Sequence, residues 1–137
     1  MRKHSHSVTE LHLHIVLVTK FRKPLLTGEI DETVKRECRR ILEHYECRVE
    51  EMETDKDHIH ILMEMPPKYS VMQIVNVLKG VSSRMVRKEH GEEIEKMLKH
   101  SSFWSPSYYA GTTGGVTLET VKRYVESQRQ AKPWENC

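Results

Sequence analysis

The stretch DHIHILMEM, residues 57 to 65, decides the fold, because it combines the alternation of a β-strand with two histidines. Successive side chains of a strand point to opposite faces, so His58 and His60 share a face and lie about 7 Å apart along the strand. The other face is apolar and carries Ile59, Ile61 and Met63. The stretch therefore predicts a strand with one buried face and one polar face suited to two ligands of a metal ion.

The segments on either side of this strand alternate between strand and helix patterns. Apolar periodicity, proline and glycine positions and the N-cap residue Ser70 predict their limits. The predicted elements are a strand at Leu11–Thr19, a helix at Gly28–Tyr45, a strand at Cys47–Glu53, the turn Thr54–Asp57, the strand His58–Met65, a long helix from Val71 to Gly91, a short charged helix at Glu92–His100, an edge strand at Phe103–Tyr109 that tolerates Pro106, a glycine-rich joint at Gly111–Gly115 and a last helix at Thr117–Gln130.

The order β-α-β-β-α-β predicts an α+β fold of the ferredoxin-like (RRM-like) type, with an added C-terminal helix that carries Tyr124. The first and third strands are the central neighbours in that fold. His12 and His14 are therefore expected beside His58 and His60 on one face. We expect residues 1–137 to form a single domain.

Composition argues against a disulfide-rich protein, a zinc knuckle and a membrane-spanning protein. The three cysteines, Cys38, Cys47 and Cys137, are odd in number and lack metal-knuckle spacing, which favours a reducing, cytoplasmic setting. No apolar run approaches the roughly 20 residues that span a bilayer, so we expect no membrane association. A net charge of +2 does not by itself indicate a nucleic-acid partner.

The last helix places Tyr124 and Gln128 at i and i+4, one turn apart on the same side. A tyrosine beside an apolar stripe is most often a packing residue, and buried histidines on strands are often simply hydrogen-bonded. His12-Leu13-His14 is a second pair of the same spacing. The chain offers four rival tyrosines for a nucleophilic role, namely Tyr45, Tyr69, Tyr108 and Tyr109.

Taken together, these segments resemble the HUH superfamily, and within it the single-tyrosine transposases of the insertion sequence 200/605 type, including relatives associated with repeated extragenic palindromes. The resemblance covers nearly the whole chain. The matching residues are His14-Ile15-Val16 with Lys20 and Arg22, Asp57-His58-Ile59-His60, Leu78-Lys79-Gly80 with Ser82-Ser83-Arg84, Phe103-Trp104, Gly111-Thr112 with Gly114, and Tyr124 with Gln128.

The resemblance implies an enzyme that cleaves and rejoins single-stranded DNA. Tyr124 would attack a phosphodiester and form a 5′-phosphotyrosine intermediate. His58, His60 and Gln128 would hold a divalent metal ion, Mg²⁺ or Mn²⁺. A phenol with a pKa of about 10 is a poor nucleophile at neutral pH, and a nearby cation favours its phenolate.

The resemblance also implies single-stranded DNA hairpins as partners and a homodimer that can exchange its tyrosine helix. The expected phosphate contacts are basic: Lys20, Arg22, Lys23, Lys79, Arg84, Arg87 and Lys88. Phe21, Trp104 and Tyr108 are candidates to stack an unpaired base, although aromatic residues at strand ends are more often packed.

Two other functions fit parts of the pattern. A non-catalytic nucleic-acid-binding module of ferredoxin-like fold would use histidine and aromatic side chains on an open sheet face. A replication initiator or relaxase-type nickase would share the histidine pair and the tyrosine. The short chain and the match from Lys79 to Arg84 favour transposition.

Overall fold

A computed structural model describes residues 11–112 and residue 123 of the chain. Six main elements follow one another in the order β-α-β-β-α-β. They are β1 (Leu11–Thr19), α1 (Gly28–His44), β2 (Arg48–Asp55), β3 (His58–Met65), α2 (Val71–Leu98) and β4 (Trp104–Thr112), with a short 3₁₀ turn at Lys20–Arg22. The predicted last helix, with Tyr124 and Gln128, lies outside the described residues apart from Arg123, which is helical and exposed.

The four strands form one sheet in the order β2-β3-β1-β4, and every neighbouring pair is antiparallel. The prediction that the first and third strands are the central neighbours is confirmed. Their register pairs Val16 with His60 and Val18 with His58. Since directly opposed residues of an antiparallel pair point to the same face, this register decides what surrounds the histidines.

The hydrophobic core lies between the sheet and the two helices. Ile59, Ile61 and Met63 are almost fully buried in it, as the alternation of β3 predicted. Each buried aliphatic side chain of this size contributes roughly 1.5–3 kcal/mol of hydrophobic stabilisation. The other face of the sheet carries Val16 and Val18, which are also buried and form a separate small cluster with Tyr109.

Two strands are longer than predicted. β2 continues to Asp55, because Thr54 and Asp55 pair with Ile59 and His58, so that the turn shrinks to Lys56 and Asp57. β4 runs from Trp104 to Thr112 and includes Gly111, which the sequence had placed in the glycine-rich joint. Pairing with a partner strand therefore outweighs the local preference of these turn-forming residues.

The prediction that the long helix ends at Gly91 and that a short helix follows agrees with a break in helical geometry at His90 (φ −134°, ψ 33°), where two helical segments of α2 meet at a kink. The second segment ends at Leu98 instead of His100. Ile94 and Leu98 are buried and continue the apolar stripe of the helix, which keeps its last turns against the core. At its start, the predicted N-cap Ser70 is confirmed, since its side chain accepts a hydrogen bond from the Gln73 amide.

The edge strand is fastened to α2 by a buried hydrogen bond. The indole N–H of Trp104 donates to the Ser82 hydroxyl at 2.9 Å, and that hydroxyl in turn donates to the Leu78 carbonyl at 2.6 Å. Ser82 is fully buried and Trp104 nearly so. In the part of the chain that the structure describes, no helix combines the length and the apolar character needed to cross a membrane.

We expect Ser82→Ala to lower the free energy of unfolding by about 1–3 kcal/mol, because the buried Trp104 indole then lacks its acceptor. Urea denaturation followed by tryptophan fluorescence measures the change. Ser83→Ala is the matched control, because the Ser83 hydroxyl donates to the Gly80 carbonyl of its own helix and, among the described residues, makes no bond to another element. Equal stabilities of the two variants would contradict a structural role for the indole bond.

Candidate metal centre and nucleic-acid interface

The His58 and His60 side chains lie on the sheet face opposite α1 and α2. Their ring centroids are 4.7 Å apart and their planes are inclined by 71°. Both residues are buried, with 4% and 2% of their surfaces exposed. The rings thus converge in a confined space, a geometry that allows both to contribute nitrogen ligands to one ion.

Asp57 orients the first of these rings. Its carboxylate oxygen Oδ1 lies 2.8 Å from His58 Nδ1, and both side chains are buried. A carboxylate on one ring nitrogen fixes the tautomer and leaves Nε2 as the nitrogen for a ligand bond. The Asp57 carbonyl also accepts the Thr19 amide at 3.0 Å, which ties the histidine strand to the end of β1.

Two acidic residues of β2, which no motif in the sequence had marked, lie beside the histidines. Glu53 pairs with His60 and Asp55 pairs with His58 across the β2–β3 ladder. Opposed residues bring their Cβ atoms within about 4.5–5.5 Å. The register that creates these pairs depends on a bulge between Val49 and Glu51, and no local sequence signal marks it.

His12 and His14 share a face of the sheet with the histidine pair, as expected, but they do not lie directly beside it. His12 pairs with Glu64 at the far end of β1, and His14 pairs with Leu62, one row of that face away from His60. The cause is the strand register, which sets Val16 rather than a histidine opposite His60.

His12 belongs to another polar cluster. His12, Glu50 and Glu64 each place one ligand-type atom within 4.8 Å of the others. The Arg48 guanidinium is hydrogen-bonded to Glu64 and lies 3.5 Å from Glu50. A positive side chain therefore already neutralises these carboxylates, which disfavours a cation there.

The expected nucleophile Tyr124 and the expected ligand Gln128 lie outside the described residues. Of the rival tyrosines, Tyr45 and Tyr69 pack edge to face with centroids 5.0 Å apart. Tyr109 pairs with Val16 and thus shares the row and the face of His60, with β1 between them. Its phenol occupies the space above Gly111, where an added Cβ would lie 2.6 Å from the hydroxyl oxygen.

The structure brings some of the predicted DNA-contacting residues together around the 3₁₀ turn. Lys20 and Lys79 line a cavity of about 320 Å³, whereas Arg22 and Lys23 line a neighbouring cavity of about 500 Å³. Arg87 is hydrogen-bonded to the Ser101 carbonyl at the wall of the second cavity. Arg84 and Lys88 are exposed on α2 and line neither of these two cavities.

The aromatic candidates for base stacking differ in exposure. Trp104 is buried, so the prediction that it is available to stack a base is wrong: its ring is packed in the core. Phe21 and Tyr108 are each 37% exposed, and a lysine ammonium lies over each ring, Lys20 at 5.2 Å and Lys79 at 5.7 Å. A base and a phosphate can therefore be contacted at adjacent positions.

Comparison with known proteins bears on the whole chain. Residues 7–128 match the family model described as "Transposase IS200 like". The transposase for insertion sequence element IS200 of Salmonella typhimurium is 33% identical over 124 residues, which cover 90% of this chain and 80% of the relative. The ISDra2 transposase TnpA of Deinococcus radiodurans is 31% identical over 128 residues, or 93% of this chain and 91% of the relative.

Solved structures share the fold. A crystal structure of a candidate transposase from Deinococcus radiodurans R1 superposes with a TM-score of 0.81 at 26% identity and covers 93% of this chain and 98% of that one. A REP-associated tyrosine transposase bound to a REP hairpin superposes with a TM-score of 0.56 at 8% identity, covering 92% and 69%. With a family match over most of its length and relatives above 30% identity, the chain belongs to the IS200-like transposase family.

Proposed function

We propose that this protein is a metal-dependent transposase that cleaves and rejoins single-stranded DNA at hairpin-bearing element ends through Tyr124. The observation that carries the proposal is the buried, convergent pair His58 and His60, oriented by Asp57, in a chain that matches the transposase family from residue 7 to residue 128. We take residues 1–137 as one domain of ferredoxin-like fold, a view that the strand order β2-β3-β1-β4 supports.

In the proposed reaction, the Tyr124 hydroxyl loses its proton and its oxygen attacks the scissile phosphorus. A bond forms between that oxygen and phosphorus, and the bond from phosphorus to the 3′-oxygen breaks. The products are a 5′-phosphotyrosine and a free 3′-hydroxyl. A 3′-hydroxyl from another DNA end then attacks the phosphotyrosine, restores the phosphodiester and releases Tyr124. The number of phosphoester bonds is conserved, so no ATP is required.

The histidine pair fits a divalent ion. Imidazole nitrogens and a side-chain amide suit Mn²⁺, and Mg²⁺ prefers phosphate and water oxygens, so His58, His60 and Gln128 would hold either ion together with DNA. When bound, the ion polarises the phosphate, favours the phenolate of Tyr124 and stabilises the departing 3′-oxygen. Asp57 holds His58 in the tautomer that binding requires.

The carboxylates of β2 modify the charge of this centre. The two histidines and the amide are neutral ligands, but Glu53 and Asp55 stand opposite the histidines across the ladder. Both side chains are exposed, and each adds a negative charge that attracts a divalent cation. They also repel a bare phosphate, so the ion and the DNA are expected to bind together rather than separately.

For DNA, the proposal assigns phosphate contacts to the basic residues around the 3₁₀ turn and on α2. The neighbouring structure with a bound REP hairpin motivates a hairpin as the substrate. A homodimer that exchanges the tyrosine helix belongs to the same proposal, with the glycines Gly114 and Gly115 in its connection.

The decisive variant is Tyr124→Phe. Wild-type protein incubated with labelled single-stranded hairpin DNA from the flanks of its own gene, with Mg²⁺ or Mn²⁺, should give a covalent band on a denaturing gel. The variant should lose this band and still shift the DNA on a native gel, because the ring remains and only the attacking oxygen is gone.

Tyr109→Phe is the matched control, since Tyr109 shares the face of His60. It should keep the adduct. An adduct that survives Tyr124→Phe but not Tyr109→Phe would mean that the nucleophile lies on β4. DNA binding without an adduct in any metal would favour the non-catalytic binding module.

Asp57→Asn should weaken Mn²⁺ binding about 10–100-fold, because the amide no longer stabilises the His58 tautomer as a carboxylate does. Isothermal titration with Mn²⁺ in the presence of hairpin DNA measures the affinity. Asp31→Asn on α1 removes an equal charge far from the site, where Asp31 pairs with Lys35, and serves as the control. Unchanged affinity in Asp57→Asn would contradict a metal site on His58.

Glu53→Gln should also weaken Mn²⁺ binding, by on the order of 1 kcal/mol or about fivefold, through lost Coulomb attraction. Glu51→Gln is the neighbouring control, because Glu51 pairs with Leu62 instead of a histidine. The same titration distinguishes them. If both variants lose affinity equally, the effect reflects the charge of β2 in general and not the pairing of Glu53 with His60.

A further inference from the structure

Outside the histidine centre, a cavity beside Lys79 combines a half-buried positive charge with a strained backbone turn. It lies between the 3₁₀ turn that follows β1, the middle of α2 and the start of β4. Its lining comprises two lysines, two serines, a glycine, a proline and two aromatic residues: Lys20, Lys79, Gly80, Ser83, Ser102, Phe103, Trp104 and Pro106. The volume of about 320 Å³ is in the range of small-ligand sites.

Lys79 is a half-buried cation in this cavity. Within residues 11–112, no ion pair joins it to a carboxylate, and its ammonium lies 5.7 Å from the centroid of the Tyr108 ring. Burial lowers the pKa of Lys79. A partly desolvated ammonium without a carboxylate is stabilised when an anion arrives, so the cavity is prepared for a negatively charged ligand.

The turn that forms one wall is held in a strained conformation. Phe21 and Arg22 both adopt a left-handed backbone, with φ of 57° and 54°, which residues with bulky side chains rarely do. The surrounding hydrogen bonds enforce it: Lys20 donates its amide to the Phe103 carbonyl at 2.8 Å, and the Thr19 hydroxyl lies 2.7 Å from the Lys23 carbonyl. Such strain persists where the fold fixes it, often at ligand sites.

The cavity lies at the same end of the sheet as the histidine centre. Thr19 pairs with Trp104 of the cavity wall, and its neighbour Val18 pairs with His58. Two strand spacings, about 10 Å, separate β3 from β4 across β1. The histidines lie on the outer face of the sheet and α2 bounds the cavity on the other side, so a single DNA strand that contacts both sites has to pass around this end of the sheet.

We propose that this cavity is a subsite for one unpaired nucleotide of the DNA strand that flanks the cleaved phosphate. Lys79 and Lys20 contact its phosphate, and the partly exposed ring of Tyr108, which lies beside Lys79, contacts its base. Ser83 and Ser102 supply hydroxyl groups that can bond to the sugar or the base. The inference rests on the proposed function for the position of the strand, but the subsite itself requires only single-stranded nucleic acid.

The test compares Lys79→Met with Lys35→Met. Methionine keeps the apolar stem of Lys79 and removes its charge, and Lys35 is an ion-paired lysine on α1 (3.1 Å to Asp31) whose loss changes the net charge equally. Fluorescence anisotropy measures the binding of a labelled hairpin with an unpaired flank, and of the same hairpin without the flank, over a range of salt concentrations.

With the flanked hairpin, Lys79→Met should reduce the slope of log K against log salt by about 0.7, the value for one lost phosphate contact to a single strand. With the unflanked hairpin, the slope should fall by less than with the flanked one, because the nucleotide that fills the subsite is missing. Lys79→Arg should retain the slope. If Lys79→Met and Lys35→Met give the same slope on the flanked hairpin, or if the loss appears equally without the flank, the proposal is overturned.

A second readout does not depend on a substitution. The Lys79 ammonium, followed by nuclear magnetic resonance, should titrate at higher pH in the complex with the flanked hairpin than in the free protein, because the phosphate favours its charged form. The titratable groups that face it are Lys20 and Tyr108. An unchanged titration would contradict the phosphate contact.

The test of the subsite can fail or succeed independently of the test of the transposase proposal. A wild-type adduct at Tyr124 combined with an unaffected Lys79→Met would retain the transposase and remove the subsite. The absence of any adduct combined with the loss of slope in Lys79→Met would retain the subsite and point to a binding module.

Discussion

The antiparallel pairing of β1 with β3 is the constraint on which the rest of the structure depends. These two strands form the centre of the sheet, and their apolar faces build the core against α1 and α2. A slip of one residue would turn Ile59 and Ile61 to the outer face and the histidines into the core. The burial of the isoleucines therefore fixes the orientation of His58 and His60.

The end of β1 joins the histidine pair to the basic 3₁₀ turn. Thr19 is fully buried, donates its amide to the Asp57 carbonyl and places its hydroxyl beside the Lys23 carbonyl. The Leu26 amide adds a bond to the Lys56 carbonyl in the β2–β3 turn. The basic turn is thus attached directly to the start of the strand that carries the histidines.

Local signals were sufficient for most of the fold and insufficient at the element ends. The limits of β1 and β3 followed from alternation, and the start of α2 from its N-cap serine. The ends of β2 and β4 did not, because Asp55 and Gly111 favour turns locally. Ladder pairing extends both strands, whereas α2 does break near the predicted position, at His90, and burial of Ile94 and Leu98 holds its second segment against the core.

The sequence by itself determined the order of the elements, the faces of the strands and the histidine pair, because periodicity and residue type are local properties. It also carried the family resemblance, which the comparisons confirmed. Only the tertiary structure decided which residues surround the histidines and the basic turn. The registers of the β1–β3 and β2–β3 pairs place Val16 and Glu53 beside His60 and place His12 beside Glu64 instead. Packing buried Trp104 and left Lys79 in a cavity, because burial depends on elements distant in the chain.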